Sequence, residues 1–377
     1  MTSLLRAYLH RPKSLFLRRV LFQVHLWVGV AAGVYIFVVS TTGAALVFRI
    51  DLQRAHYPQL FTPGDDGPPA EPATLLENLQ RAYPQYRVSG IDAPTTTRPT
   101  YLAYVTDGPR FRTVLLDPVT ASVLGELPER SAIRTLQDLH FDLLAGRTGR
   151  LVNGVGAACL FAMCVTGLVI WWQGANTWRR GFAVDVRRNW KRVNWDLHSA
   201  IGAWTLAFLT MWSVTGIAFA FPRQFRTAVN AVSPLTVVRA PQSDPRGAGL
   251  GPRPTGRTLI ERARQRMPDQ FVARVVVPAN DRGAFQVTFS PVKPTPVGAT
   301  NLPSVYLDQF TGAVLAAPTE APRTAGDMVM KWVAPLHVGS FGPTGLRLAW
   351  AVLGLSPALL FVTGLLMWWS RVVRARG

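Results

Sequence analysis

The sequence predicts a membrane α-helical protein: four transmembrane helices, internally duplicated, with two α+β modules inserted outside the lipid. Three observations predict it. First, four stretches are apolar and almost free of charge: about Val20 to Phe48, Leu151 to Trp172, Ile201 to Phe221 and Leu348 to Trp369. A bilayer core takes about 20 helical residues, so each is long enough to cross. Second, the basic residues cluster beside these stretches. Third, a histidine followed by a Thr-Gly dipeptide recurs four times at two fixed spacings.

The first stretch follows a basic start, as a signal peptide would, but it is much too long for a cleavable apolar core and reads as a span. Charged residues make up 16% of the chain, against about 25% for a soluble domain. The net charge of +19 would suggest nucleic acid in a soluble protein, yet its distribution excludes that reading. Arg6, Arg11, Lys13, Arg18 and Arg19 precede span one. Arg179, Arg180, Arg187, Arg188, Lys191 and Arg192 fill the link between spans two and three, and Arg371, Arg374 and Arg376 close the chain. If the spans alternate, all three clusters share one side, and the positive-inside rule makes it cytoplasmic. Segments 49–150 and 222–347 then lie outside. Trp171-Trp172 and Trp368-Trp369 suit the cytoplasmic interface as belt residues.

Taken in order, Leu4 to Leu17 mixes basic and apolar residues and reads as a surface-lying segment; His10 there reads as solvated. Span one completes an N-terminal region, 1–48. The first external module, 49–139, opens with an irregular Pro/Gly stretch, Pro58 to Pro72. Leu75, Leu76, Leu79 and Ala82 then recur at helical spacing, ended by Pro84, and Arg87 to Ile91, Tyr101 to Thr106 and Arg112 to Leu116 alternate as strands. Residues 140–175 hold span two and a preceding loop, 176–197 the basic link, and 198–221 span three. The second module, 222–336, repeats the plan: a helix over Leu259 to Met267, then strands over Ala273 to Val277, Ala284 to Phe289 and Val305 to Leu307. Pro/Gly-rich stretches, Pro241 to Gly256 and Pro291 to Pro303, supply its extra length. Residues 337–377 hold span four and the basic end. Cys159 and Cys164 both fall inside span two on different helix faces, cannot bridge there, and read as packing residues.

The duplication organises the candidate site. From His25 to Gly43 and from His198 to Gly216 is 18 positions; from His140 to Gly167 and from His337 to Gly364 is 27. Units one and three match, as do two and four. Each membrane face therefore receives two histidines, one from each half: His25 with His198 on the cytoplasmic side, His140 with His337 outside. Any single interfacial histidine is commonly just a helix end. Four of six, at duplicated positions beside costly membrane spans, point to function. Two facing imidazoles suit the two axial positions of one haem iron. Gly29 and Gly202 lie one turn after His25 and His198 on the same helix faces, leaving room either for a macrocycle or for close helix packing. The Thr-Gly pairs carry the same two readings. Arg147, Arg150 and Arg347 would either pair with haem propionates or mark the membrane boundary.

Leu139-His140 with Gly146 to Arg150, Leu336-His337 with Gly342 to Gly345, and the Thr-Gly-Leu elements ending in Trp-Trp resemble the PepSY-associated transmembrane helix family. "LLDPVTASVL" and "VYLDQFTGAVL" are similar to its external PepSY module. Pro118-Val119-Thr120-Ala121 departs from the more typical Gln309-Phe310-Thr311-Gly312, which predicts a degenerate first module. In length and plan the chain most resembles the FoxB-like inner-membrane ferric-siderophore reductases. That resemblance implies an oxidoreductase of the bacterial inner membrane with two haem b groups and periplasmic PepSY-like modules. It would pass electrons across the membrane and reduce ferric siderophore iron to Fe(II) in the periplasm. No C-x-x-C-H motif is present, so the haems would be held without covalent attachment. No Gly-rich dinucleotide fingerprint is present either, so a separate donor, a quinol or a cytoplasmic reductase, is expected. A cofactor-free PepSY interaction protein is the rival. A transporter is disfavoured, because the spans contain no acidic residues and only Pro357 as a break.

Overall fold

The computed structural model describes residues 16–64, 67–108, 111–175, 177–236, 241–249, 251–295, 302–318 and 324–372. Residues 4–15 of the expected surface segment, with His10, lie outside these, as do Arg374 and Arg376. In chain order the elements begin with α1 (Phe16–Leu46), α2 (Pro72–Ala82), β1 (Arg87–Asp92), β2 (Tyr101–Thr106), β3 (Phe111–Leu116) and β4 (Val123–Leu127). Next come α3 (Ala132–Asp142), α4 (Gly146–Trp171), α5 (Trp190–Ala220) and α6 (Gly256–Arg264). Then follow β5 (Phe271–Val276), β6 (Phe285–Ser290), β7 (Ser304–Leu307), β8 (Val314–Ala316), α7 (Ala325–Val338), α8 (Thr344–Gly354) and α9 (Ser356–Val372). They divide into a helical unit (1–48, 134–228, 336–377) and a sheet unit (49–133, 229–335).

In the helical unit four helical segments are long and apolar enough to cross a membrane: α1, α4, α5 and the α8–α9 run. α5 starts well before Ile201 because Asn189 caps it, its side chain accepting from the Arg192 N–H at 3.1 Å. The earlier start corrects one expectation: an acidic residue enters this helix, Asp196, 4% exposed and paired to Arg192 at 3.0 Å. The fourth span is broken between Gly354 and Ser356. Pro357 has no N–H to give the Leu353 carbonyl, and the Ser356 hydroxyl donates to that carbonyl instead, at 2.7 Å. Such local repair lets proline stay in a span. α1 packs against α4 and against α9, and α5 packs against the same two. α1 and α5 are therefore diagonal in a four-helix bundle, and residues on them face each other across its core.

In the sheet unit the two expected modules share one sheet. All eight strands form one antiparallel sheet, β4-β3-β2-β1-β5-β6-β7-β8, reading outward identically from its centre. The halves join where β1 pairs with β5, Gly90 opposite Val276 and Asp92 opposite Arg274. A Cβ at Gly90 would strike the Val275 carbonyl across that seam. The strands β2, β5, β6 and β7 turn alternate residues inward, and Ala103, Val105, Val114, Val275, Val287, Phe289 and Val305 are fully buried. Leu75 and Leu79 of α2, with Leu259 and Ile260 of α6, cover that face. Pro72 at the start of α2 and Thr255 capping α6 set where these helices begin.

The first module is not degenerate. The Asp117 carboxylate accepts from the N–H groups of Val119 (2.8 Å), Thr120 (2.9 Å) and Gly64 (2.7 Å). Asp308 accepts from Phe310, Thr311 and Asp244, all at 2.9 Å. Ala121 adopts the left-handed φ of 57° that Gly312 takes at 71°. The carboxylate fixes the turn, so the missing glycine does not unmake it.

One further expectation fails. His140 does not lie in the loop before span two, which is confined to residues 143–145; it lies in the last turn of α3, as His337 lies in the last turn of α7. The helical unit accordingly starts at Arg134 rather than at 140.

Candidate functional site

Two pairs of imidazoles stand in the helical unit. His25 of α1 and His198 of α5 have ring centroids 6.5 Å apart, with planes at 85°. His140 and His337 have centroids 6.2 Å apart, with planes at 54°. Imidazoles at these separations could both reach a metal placed between them.

The hydrogen bonds fix which nitrogen is available. Each histidine meets a threonine of a Thr-Gly pair on the other span of its own half. His25 Nδ1 is 2.9 Å from Thr166 Oγ1 and His140 Nδ1 is 3.2 Å from Thr42 Oγ1. His198 Nδ1 is 2.9 Å from Thr363 Oγ1 and His337 Nδ1 is 2.8 Å from Thr215 Oγ1. Every one of these hydroxyls already donates to the carbonyl four residues back: Val38, Ala162, Met211 or Leu359, at 2.7 to 2.8 Å. With its proton committed, the hydroxyl accepts, so Nδ1 carries the imidazole proton and Nε2 keeps its lone pair. His140 Nδ1 also lies 2.9 Å from the Val39 carbonyl, which only a protonated Nδ1 can satisfy. Among the described residues Nε2 of all four has no hydrogen-bond partner. A metal-ligating histidine commonly donates its other nitrogen to an oxygen in this way.

The glycines divide by position. A Cβ at Gly43 would lie 2.7 Å from His140 Cε1, one at Gly167 3.2 Å from His25 Cε1, and one at Gly364 3.4 Å from His198 Cε1. Three of the four Thr-Gly glycines thus let an imidazole lie against the helix. Gly216 differs, because its Cβ would meet Ala157 at 3.1 Å and it serves packing. Gly29 and Gly202 line a cavity of about 340 Å³ together with His25, His198, Gly33, Gly167 and Gly364. The rest of that wall is mostly apolar, including Leu26, Met163, Leu206 and Phe361. A flat apolar group carrying a metal would meet both nitrogens of the first pair, so the residues that line this cavity fit a haem.

The three arginines are not alike. Arg347 is 8% exposed, donates to the Val47 carbonyl at 2.9 Å and lies 4.9 Å over the Phe48 ring. Arg147 and Arg150 are exposed. Cys164 is buried and Cys159 half-buried, and both are free thiols.

The sequence reading missed the groups that hold these histidines. It noted the Thr-Gly pairs but not that each threonine binds an imidazole on the neighbouring span. It also missed Asn153, whose amide donates to the His140 and Phe141 carbonyls at 2.7 and 3.2 Å. Trp350 and Trp212 donate to the carbonyls of Leu336 and His337 at 2.9 and 3.1 Å. Equal spacing was the available signal: Asn153 and Trp350 each stand 13 positions after their histidine (140 to 153, 337 to 350).

A bundle with two histidine pairs between its spans, joined to an antiparallel sheet unit with helices on one face, defines a class of membrane protein. The chain belongs to the PepSY-associated TM region family, whose model matches residues 22–371. An uncharacterized protein of Pseudomonas aeruginosa is 25% identical over 271 residues, covering 64% of this chain; the chain spans 64% of that relative's length.

Proposed function

We propose that this protein is a di-haem reductase of the bacterial inner membrane, passing electrons across it to ferric siderophore iron. The observation that carries the reading is the pair geometry: two imidazole pairs at 6.5 and 6.2 Å, every Nδ1 held by a threonine and every Nε2 unclaimed. His25 with His198 would hold one haem b and His140 with His337 the other. When bound, each haem supplies a one-electron iron couple. The chain's own contribution is to orient and shield. The threonines fix the tautomer and the ring plane. Gly29 and Gly202 leave space beside the first pair, and the apolar wall excludes water. Of the three arginines considered, Arg347 is the one whose guanidinium is buried in the helical unit; Arg147 and Arg150, on the exposed start of α4, remain candidates for propionate contacts.

The substrate and the orientation rest on other grounds. Basic clusters at both ends and in the 176–197 link support cytoplasmic termini and a periplasmic sheet unit. The repeated spacings and the outward-symmetric strand order support an internal duplication. Resemblance to the FoxB-like reductases supplies the siderophore. One electron delivered to Fe(III) gives Fe(II), which the hard oxygen ligands of a siderophore hold less tightly, so the metal leaves. The electron comes from a separate donor, a quinol or a cytoplasmic reductase.

The test uses oriented vesicles of chemically reduced protein, with a membrane-impermeant ferric siderophore and an Fe(II) chelator on one side at a time. Reoxidation with Fe(II) appearing at the sheet-unit side is expected. Reoxidation from the opposite face alone would reverse the proposed direction. A colourless protein with no redox response would instead support a cofactor-free PepSY interaction role.

A further inference from the structure

The geometry points to Asn153 and to the tryptophan pair Trp212 and Trp350 as positioning residues for the second histidine pair. Chemically different in the two halves, they perform one task. The inference rests on the di-haem reading and names what holds the His140–His337 site in place.

His140 and His337 each lie in the last turn of a helix, α3 and α7. Last-turn carbonyls have no intrahelical N–H to accept from, and in apolar surroundings each must find another donor. In the first half the turn itself serves part of the need: the N–H of Leu143 binds the Leu139 carbonyl at 3.2 Å and that of Leu144 binds Asp138 at 3.3 Å. The carbonyls of His140 and Phe141 are left over. One carboxamide, Asn153 Nδ2, takes both. Asn153 is in turn held by the Tyr35 hydroxyl from α1, which donates to its Oδ1 and lies 3.0 Å from its carbonyl. In the second half the carbonyls of Leu336 and His337 are the ones that accept from side chains. Trp350 Nε1 takes the first and Trp212 Nε1 the second. Trp350 occupies the position equivalent to Asn153, while Trp212 stands where the first half has Val39, 14 positions after the span's histidine in each case (198 to 212, 25 to 39). The two indoles lie 5.7 Å apart at 78°, and Phe208 and Phe341 pack their edges against Trp350 at 5.5 and 5.2 Å. In each half, therefore, a side chain from the following span fixes the backbone of the helix end that carries the imidazole.

Asn153→Leu removes both amide donors at similar volume. Trp212→Phe and Trp350→Phe remove the indole N–H groups and keep the aromatic packing. In each variant the low-temperature EPR signals and the two midpoint potentials are recorded, with hydrogen exchange of peptides 132–142 and 325–338. Loss of an outer hydrogen-bonding partner commonly weakens metal retention roughly 10–100-fold. Asn153→Leu and the Trp212→Phe/Trp350→Phe double variant are expected to lose that much at the second pair. Either tryptophan single variant, with one donor left, should lose less, and the first pair's signal and potential should not move. Exchange should rise only in 132–142 for Asn153→Leu and only in 325–338 for the double variant. If the second pair's signal, potential and retention are unchanged in both, or the first pair shifts equally, the assignment is wrong. If the wild-type protein holds no haem, the di-haem reading fails separately, and the selective exchange pattern still decides whether these groups fix the helix ends.

Discussion

The threonine–histidine bonds make a graded prediction. His337 Nδ1 has one acceptor among the described residues, Thr215 Oγ1 at 2.8 Å, whereas His140 Nδ1 has two, Thr42 Oγ1 at 3.2 Å and the Val39 carbonyl at 2.9 Å. Valine replaces threonine at nearly the same volume and removes only the hydroxyl. In Thr215→Val the imidazole N–H is buried without an acceptor, at a cost of about 1–3 kcal/mol. That corresponds to roughly 5- to 150-fold weaker haem retention at the second pair, at about 1.4 kcal/mol per tenfold. In Thr42→Val the Val39 carbonyl still accepts, and the loss should stay near the net worth of one hydrogen bond, about 1 kcal/mol or several-fold. The assay is transfer of haem to excess apomyoglobin, followed by its Soret spectrum, with the first pair's haem as internal reference. Equal losses in the two variants, or a larger one in Thr42→Val, would refute the assignment of the proton to Nδ1 and of the hydroxyls as its acceptors.

Three further outcomes are expected. Gly43→Ala puts a methyl 2.7 Å from His140 Cε1 and should strip the second pair while sparing the first; Gly364→Ala, with 3.4 Å to His198 Cε1, should be tolerated, and haem stoichiometry compares them. His25→Ala and His198→Ala should remove the same haem and leave the other spectrally intact, as should His140→Ala and His337→Ala at the second pair; mixed losses in a folded protein would break the pairing. Burial by itself raises the Asp308 carboxyl, but the N–H groups of Thr311, Asp244 and Phe310 outweigh it and hold the group below the ordinary value of 3.8. Its stabilising contribution is therefore complete above that value and fades as pH falls through the lower folded one. Asp308→Asn should cost about 1–3 kcal/mol near neutrality and progressively less toward pH 3, by thermal unfolding; a gap independent of pH would contradict this.

Much of the architecture was legible because lipid imposes it: a run of some 20 apolar residues has few other uses, and alternation marked the strands of both halves. The joining of those strands was not legible. Each half alternates correctly whether or not β1 meets β5, and only the Gly90 seam, where a Cβ would meet the Val275 carbonyl, reflects the contact. The four histidines stand out by spacing alone. Their neighbours do not, because Thr166 meets His25 only once two antiparallel spans are packed, 141 positions apart in the chain. Asn153 and Trp350 were hidden for another reason: equivalent positions carry different side chains, so similarity of residue type could not connect them. The start of α5 was misplaced because apolarity locates lipid, while Asn189 locates the helix end.

Haem content is the most direct measure of the central claim. Purified in detergent, the protein should yield two extractable, non-covalent haem b per chain, low-spin and six-coordinate, falling to one in His25→Ala or His337→Ala and to none in the double variant. A wild-type preparation with no haem, or with one equivalent that either single substitution abolishes, would contradict a bundle built around two histidine pairs.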